Sequence, residues 1–399
     1  MMQIAVRPGD SLWGYSVMFD VPLQLIIDSN PSLGNSLQVG DLIQIPGFVW
    51  REYTVKAGDT LWQIARSNNI PLNLLLQSNP TLESEQLQIG TKIMLPHRVS
   101  ERVISGNKNY TYEQLLQDIE RLRQIYPNLT AHSIGKSVMG KDIIELRVGN
   151  GPSEVHVNAS MHANEWITSG ALMQFINDYL LAITNSGTIN GQNVYPLYTM
   201  NTMSFVPMVN PDGVNLVING APWEEPYRSS VLKINGGSSD FSGWKANISG
   251  VDLNKQFPAL WEVDAVKGPQ EPSPRDYSGE APLTEPEVQA VAELTRERSF
   301  NRVLALHTQG QEIYWGFQGL EPPESEIYAQ RMAAASGYTS VRTVNSTAGY
   351  KDWFIQDWRR PGFTIELGLG QNPLPLSQFP SIAKATNSII IEAMKSAYS

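Results

Sequence analysis

The sequence contains no cysteine. That single absence removes disulfide staples, thiolate metal sites and cysteine nucleophiles. Histidine is nearly as scarce, with five in 399 residues: His97, His132, His156, His162 and His307. Any transition-metal site must be assembled from these imidazoles and from carboxylates. No apolar run approaches the roughly 18 residues of a membrane-spanning helix. The N-terminus, MMQIAVRPGDSLW, also lacks a cationic stretch followed by an apolar one, so no standard signal peptide is expected. Basic residues are outnumbered 29 to 39, giving a formal charge of −10. Broad binding to nucleic acid or anionic membrane wants the opposite balance. What remains is a globular composition, 41% hydrophobic and 9% aromatic. At roughly 150 residues per domain, the length allows two or three domains.

An internal repeat opens the chain. Residues 4–46 and 53–96 share one pattern, with Val6, Gly9, Asp10, Leu12, Trp13, Pro22, Ser29, Asn30 and Pro31 recurring 49 positions later. The offset becomes 50 by Gly40/Gly90, so one residue was added within 83–86. Each copy reads as a short strand (Gln3–Arg7, Glu52–Lys56), then Gly-Asp with Ser or Thr as a helix cap. A second helix opens at Pro22 or Pro71, Asn-Pro breaks it, and a strand closes the unit at Ile43–Ile45 or Ile93–Leu95. The order is βααβ. Trp13 and Trp62 read most simply as core, because so small a domain needs large apolar payloads. The pattern resembles the LysM family, whose members bind the N-acetylglucosamine-containing glycans of peptidoglycan and chitin. The resemblance implies a groove between two loops: Gly9, Asp10, Ser11 and Leu12 facing Asn30 and Pro31, then Gly58, Asp59, Thr60 and Leu61 facing Asn79 and Pro80.

The pattern stops near residue 97. We expect LysM domains at 2–48 and 51–98, a linker at 99–110 and one larger domain at 111–399. Thr111-x-x-Gln114 is a capping box before a helical apolar face, and Thr284-x-x-Glu287 is another. Strand-like runs at Ile143–Val148, Val155–Met161, Ser204–Val209, Val303–Leu306 and Phe363–Leu367 alternate with helical patterns at Ile167–Ile183, Glu287–Arg298 and Pro323–Ser336. Alternation of this kind predicts an α/β domain with a mixed, mostly parallel sheet flanked by helices.

Chemistry collects at strand ends. His162 and Glu165 follow the run Val155–Met161, and a His and a Glu three apart can reach one cation. His307 follows Val303–Leu306 in the same way. Two histidines and a carboxylate are a ligand set of catalytic zinc, leaving a position for water. Glu366 sits inside an apolar run, where it is either a structural partner of Arg359 or Arg360 or a base. In order, His162-x-x-Glu165, Asn210-Pro211-Asp212-Gly213, Gly250-Val251-Asp252-Leu253-Asn254, His307-x-Gln-Gly and Phe363-Thr364-Ile365-Glu366 resemble the zinc carboxypeptidase family over residues 100–399. The resemblance implies one zinc held by His162, Glu165 and His307, with Glu366 as general base. His132 and His156 match no ligand of the family, and His97 lies at the joint between the repeats and the larger domain.

Three departures stand out. Lys245 occupies the place of the oxyanion-stabilising arginine, Lys255 follows Asn254 where digestive members grip a terminal carboxylate with Asn-Arg, and Asn164 replaces an arginine beside the zinc glutamate. The family's mobile tyrosine aligns with Val344, leaving Tyr350 as a nearby substitute, and Lys351 takes the position that lines the side-chain pocket. Lys351 is either a solvated lysine or a partner for a substrate carboxylate. Strict C-terminal exopeptidase action is therefore in question. The combination resembles the bacterial γ-D-glutamyl-L-diamino acid endopeptidases, which join LysM repeats to this peptidase class. It implies cleavage of the γ-D-glutamyl–meso-diaminopimelate bond in peptidoglycan stem peptides. The alternatives are an ordinary metallocarboxypeptidase and a glycan-binding protein with an inactive peptidase domain. The expected setting is cytoplasmic, spore or mother-cell associated, or reached by a non-standard export route.

Overall fold

A computed structural model of the chain describes residues 1–34, 37–80, 82, 87–343 and 345–398. Segment 83–86 and Val344 lie outside the described residues. Two compact units are present. One comprises Met1–Val103, Glu120–Thr130 and Asn177–Tyr195; the other comprises Ile104–Ile119, Ala131–Ile176 and Pro196–Ser399.

In the first unit each repeat runs strand, helix, helix, strand. The first has β1 (Gln3–Ala5), helices Leu12–Phe19 and Leu23–Asp28, and β2 (Leu42–Gln44). The second has β3 (Phe48–Thr54), helices Leu61–Ser67 and Leu72–Ser78, and β4 (Lys92–Arg98). Both strand pairs are antiparallel. Strand β3 begins earlier than the pattern suggests because β4 runs on to Arg98 and pairs with Phe48.

Ser11 and Thr60 cap their helices, accepting from Gly14 N at 3.0 Å and Gln63 N at 3.2 Å. The asparagines of the Asn-Pro pairs work inward. Asn30 donates to Ile26 O and Gln44 O and accepts from Gln44 N at 2.8 Å. Asn79 repeats this with Leu75 O, Met94 O and Met94 N. Each ties a helix end to the closing strand, and removing it would strand buried backbone groups. Gln77 reaches from the second repeat to Asp10 Oδ2 (3.1 Å) and Tyr15 OH (3.2 Å) of the first.

The tryptophans contradict the core reading. Trp13 is 67% exposed and Trp62 is 55% exposed. Tyr15 and Phe19 set the buried face of one helix, and Leu61, Ile64 and Ala65 that of the other. At 3.6 residues per turn both tryptophans fall outside those faces.

The second unit is built on an eight-stranded sheet of β5 (Thr130–Lys136), β6 (Asp142–Val148) and β7 (Ser153–Ala159), then, after a small hairpin of β8 (Thr188–Ile189) and β9 (Gln192–Asn193) in the first unit, β10 (Asn201–Val206), β11 (Arg302–His307), β12 (Glu312–Trp315), β13 (Thr339–Arg342) and β14 (Gly362–Glu366). Their spatial order is β13-β12-β14-β11-β7-β10-β6-β5. The central four, β14, β11, β7 and β10, run parallel, while β12 and β6 are antiparallel to β14 and β10. Every residue of β10 and β11 is buried, as strands covered on both faces should be.

Strands β5, β12 and β13 give no apolar run: β5 and β13 are half exposed at the sheet edges, and β12 buries only alternate residues. Helices Tyr350–Trp358 and Phe379–Met394 were also unanticipated. Half of the Thr111 box forms, with Gln114 N donating to Thr111 Oγ1 at 3.3 Å while the Gln114 side chain donates to Asp118 Oδ1. The Thr284 box does not. Its hydroxyl turns instead to Gln256 Oε1 at 2.9 Å, and Pro286 opens the helix.

One fold-bearing carboxyl titrates far from its usual range. Glu287 is buried, accepting from Val138 N and Asn247 Nδ2, and burial pushes it up to about 7 from 4.5. The folded state therefore holds this proton more tightly than the unfolded chain. The site is most favourable below pH 4.5, loses stability as pH rises to 7, and is level beyond, a cost of about 3 kcal/mol. Glu287→Gln should thus gain stability relative to wild type between pH 4.5 and 7.5, measured by urea midpoints. A difference that stays level across that window would reject the assignment.

Candidate active site

Strands β7, β11 and β14 lie side by side and parallel, so their C-terminal ends open on one edge of the sheet. Beyond β7 the chain bends through Ser160, at φ +47°, into a 3₁₀ turn Ala163–Glu165 with His162 at its start. His307 ends β11 and Glu366 ends β14, opposite one another in register. Residues more than 200 positions apart in sequence thereby meet at one point.

His162, Glu165 and His307 are buried, and one ligand atom from each lies within 4.8 Å of the others. Glu165 sits between the imidazoles. Its Oε1 is 2.9 Å from His162 Nδ1 and its Oε2 is 2.9 Å from His307 Nδ1. Thr308 N and Asn372 Nδ2 also donate to it. The two Nδ1 atoms face each other at 3.1 Å. Behind them, His162 Nε2 is 3.1 Å from Asp252 Oδ1, and Asp252 Oδ2 is 3.0 Å from Lys245 Nζ.

Burial alone would raise the Glu165 carboxyl, but the two imidazoles outweigh it and hold it low. Asp252 is also held low, because Lys245 and His162 overcome the effect of burial. His162 is pushed down by burial and by Lys245, yet Glu165 and Asp252 carry it up to about 9. Glu366 moves the other way from Glu165: burial and the Glu165 charge raise it to about 8. Environment thus moves the carboxyls beyond β7 and at the end of β14 in opposite directions. Two imidazole nitrogens aimed at each other beside a buried carboxylate are a donor set suited to zinc. Asp252 supplies the outer carboxylate that orients such a histidine.

Two cavities meet here. One, of about 400 Å³, includes Asn164, Glu165, Gln309, Glu366 and Asn372 in its wall. The other, of about 260 Å³, includes Asn254, Lys255, Lys351, Asp352 and Thr364. Among the described residues, His162, Lys245 and Tyr314 line both.

The lysines are not free charges. Lys245 pairs with Asp252, Lys255 Nζ donates to Asp264 Oδ2 at 2.8 Å, and Lys351 pairs with Asp352 at 2.5 Å. Lys351 is not solvated, being 4% exposed and also bonded to Gly316 O. Tyr350 requires a correction. Its side chain is fully buried, its hydroxyl bonds Thr295 Oγ1 at 2.9 Å, and its ring packs on Phe257 and His156. It lines neither cavity and does not stand in for a mobile tyrosine. Asn254 Oδ1 accepts from Tyr350 N, and Asn164 Nδ2 donates to Ser242 O. Arg359 and Arg360 donate to Gln356 O and Phe300 O rather than to Glu366. His156 is a core residue, 3.0 Å from Ser204 Oγ.

The glycan-loop residues are largely committed to the fold. Asp10 accepts from Arg7 N and Tyr15 OH, and Asp59 from Lys56 N and Tyr53 OH. Leu61 is buried, and Asn30 and Asn79 are consumed as described. Gly9 and Gly58 adopt φ +88° and +85°, which favours glycine, and with Pro31 and Pro80 they remain exposed. Backbone is what these loops leave accessible.

Reading the sequence missed Asp252, Thr308, Asn372 and Tyr314 as site residues. Asp252 and Thr308 stood inside recognised motifs; Asn372 and Tyr314 carried no signal. Replacing Asp252 by Asn should weaken zinc retention by about 10- to 100-fold in chelator competition. Unchanged retention would show that Asp252 does not orient His162.

The sequence model of the zinc carboxypeptidase family (Peptidase M14) matches residues 115–388, and that of the LysM domain matches 4–46 and 53–96. The chain is 55% identical over 394 residues to gamma-D-glutamyl-L-diamino acid endopeptidase 1 of Lysinibacillus sphaericus, covering 98% of this chain and 100% of that one. Among solved structures, thrombin activatable fibrinolysis inhibitor superposes with a TM-score of 0.59 at 17% identity, covering 79% of this chain and 90% of that one. Carboxypeptidase A from Helicoverpa armigera gives 0.58 at 17% identity, covering 89% and 98%. These two likenesses establish the fold. With the sheet, the strand-end cluster and the family match in agreement, the chain belongs to the zinc carboxypeptidase family and is a metallopeptidase carrying two LysM domains.

Proposed function

We propose that this metallopeptidase hydrolyses the γ-D-glutamyl–meso-diaminopimelate bond of peptidoglycan stem peptides, with its LysM pair binding N-acetylglucosamine-containing glycan of the same polymer. The observation that carries this reading is the likeness, over 98% of this chain, to a relative named as a gamma-D-glutamyl-L-diamino acid endopeptidase. The domains are assigned as 2–48, 51–98 and 111–399, with 99–110 as linker.

His162, Glu165 and His307 would hold one zinc in the catalytic domain. When bound, zinc supplies Lewis acidity and eases the ionisation of water near neutral pH. Glu366 takes the proton from the attacking water and passes it to the leaving amine, restoring its own state. Lys245, a cation 20% exposed at the junction of both cavities, faces the carbonyl oxygen as it gains charge. Asn164 contacts the acyl side, and Asn254 with Lys255 the amine side. Lys351 acts through Asp352, shaping the wall rather than meeting substrate directly. Two glycan sites on one chain raise avidity for a repeating polymer without new contacts. No helix among the described residues is long and apolar enough to cross a membrane.

Mass spectrometry after incubation of zinc-loaded protein with L-Ala-γ-D-Glu-meso-diaminopimelate, the matching tetrapeptide and intact sacculi tests the bond and the chain-end requirement together. The expected products are L-Ala-D-Glu and the diaminopimelate-containing amine. Intact stem peptides alongside stepwise trimming of ordinary C-termini would make the protein a conventional carboxypeptidase. No cleavage of any peptide would favour an inactive peptidase domain. Glu366→Gln should retain zinc while losing about 10²- to 10⁴-fold in rate. A variant of undiminished rate would remove Glu366 as the base.

A further inference from the structure

A peptide bond entering a buried cleft brings a carbonyl oxygen that needs a donor and an N–H that needs an acceptor. Lys245 can serve the first; the strand pairing points to what serves the second. Strand β12 pairs antiparallel with β14, placing Glu312 opposite Glu366 and Tyr314 opposite Thr364. Side chains two apart along a strand share a face, so these four belong to one face of the sheet. Thr364 lines one cavity, Glu366 lines the other, and Tyr314 lines both.

The Tyr314 hydroxyl donates to Glu312 Oε2. Its only proton is thereby committed, and the phenol oxygen keeps lone pairs for accepting. On the peptidase reading above, the acyl portion occupies the cavity of Asn164 and the amine portion that of Asn254 and Lys255. The amide must therefore pass between the side chains common to both cavities.

From this arrangement, and resting on the peptidase reading above, we infer that Tyr314 accepts the N–H of the scissile amide, with Glu312 as the positioning residue that fixes the hydroxyl as an acceptor. The site then clamps the amide from both ends: Lys245 on oxygen, Tyr314 on nitrogen. This selects amides over isosteres that lack the hydrogen, a distinction the zinc cluster cannot make.

The test compares a peptide that the wild type cleaves, γ-glutamyl or ordinary, with its ester isostere, in which oxygen replaces the N–H. Choosing the peptide by observed cleavage separates this inference from the bond assigned above. Tyr314→Phe should lose roughly tenfold in kcat/KM on the amide and under twofold on the ester, with zinc content and circular dichroism unchanged. Glu312→Ala should show the same amide-selective loss. Glu312→Gln, which keeps a carbonyl acceptor for the hydroxyl, should restore most of it. Equal losses on amide and ester, or no loss on either, would overturn the inference. So would a Glu312→Gln variant as impaired on the amide as Glu312→Ala.

Discussion

Glu165 keeps its charge inside the protein only because two imidazoles, the Thr308 amide and the Asn372 side chain surround it. An unpartnered carboxylate at that depth would cost several kcal/mol. The partners come from β7, β11 and the segment beyond β14, so the charge is tolerable only when those three strands are adjacent and parallel. Sheet order and site chemistry are thus one constraint. Asp252 extends it outward, accepting from His162 on one oxygen and pairing Lys245 on the other.

The same constraint shapes the cleft. Lys245, Lys255 and Lys351 each face an aspartate, so the wall carries paired charges instead of a bare positive field. A substrate carboxylate must compete with Asp252 or Asp264 for its lysine, which makes recognition depend on position more than on net charge. Lys351 shows how far this goes. Its ammonium is enclosed by Asp352, Gly316 O and two hydroxyls, and it organises the wall where an exposed lysine would have met ligand. The chain's overall charge of −10 says nothing about any of this.

In the LysM repeats the conspicuous polar residues hold the fold together. Ser11 and Thr60 cap helices, Asn30 and Asn79 bind closing strands, and Asp10 and Asp59 brace turns. For the glycan binding proposed above, the loops leave exposed backbone and the side chains that face outward beside it. The bonds from Gln77 to Asp10 and Tyr15 join the repeats, so their loops are not independent.

Much was legible along the chain. The repeat, the helix begun at Thr111 and five strands showed themselves through local pattern, because caps and apolar runs are properties of neighbours. His162, Glu165, His307 and Glu366 were readable for the same reason, each interrupting or ending an apolar run. Tertiary structure alone decided the rest. Tyr350 turned into the core and Trp62 out of it because helix phase is set by what the helix packs against. The pairing of three lysines with three aspartates and the place of Tyr314 beside Glu312 depend on which chain segments lie together in space. Strand β12 buries only alternate residues and gives no apolar run to read, and it carries Tyr314 and Glu312, which the sequence did not reveal. Sequence determined which groups could do the chemistry; only the packing of the strands decided which of them face it.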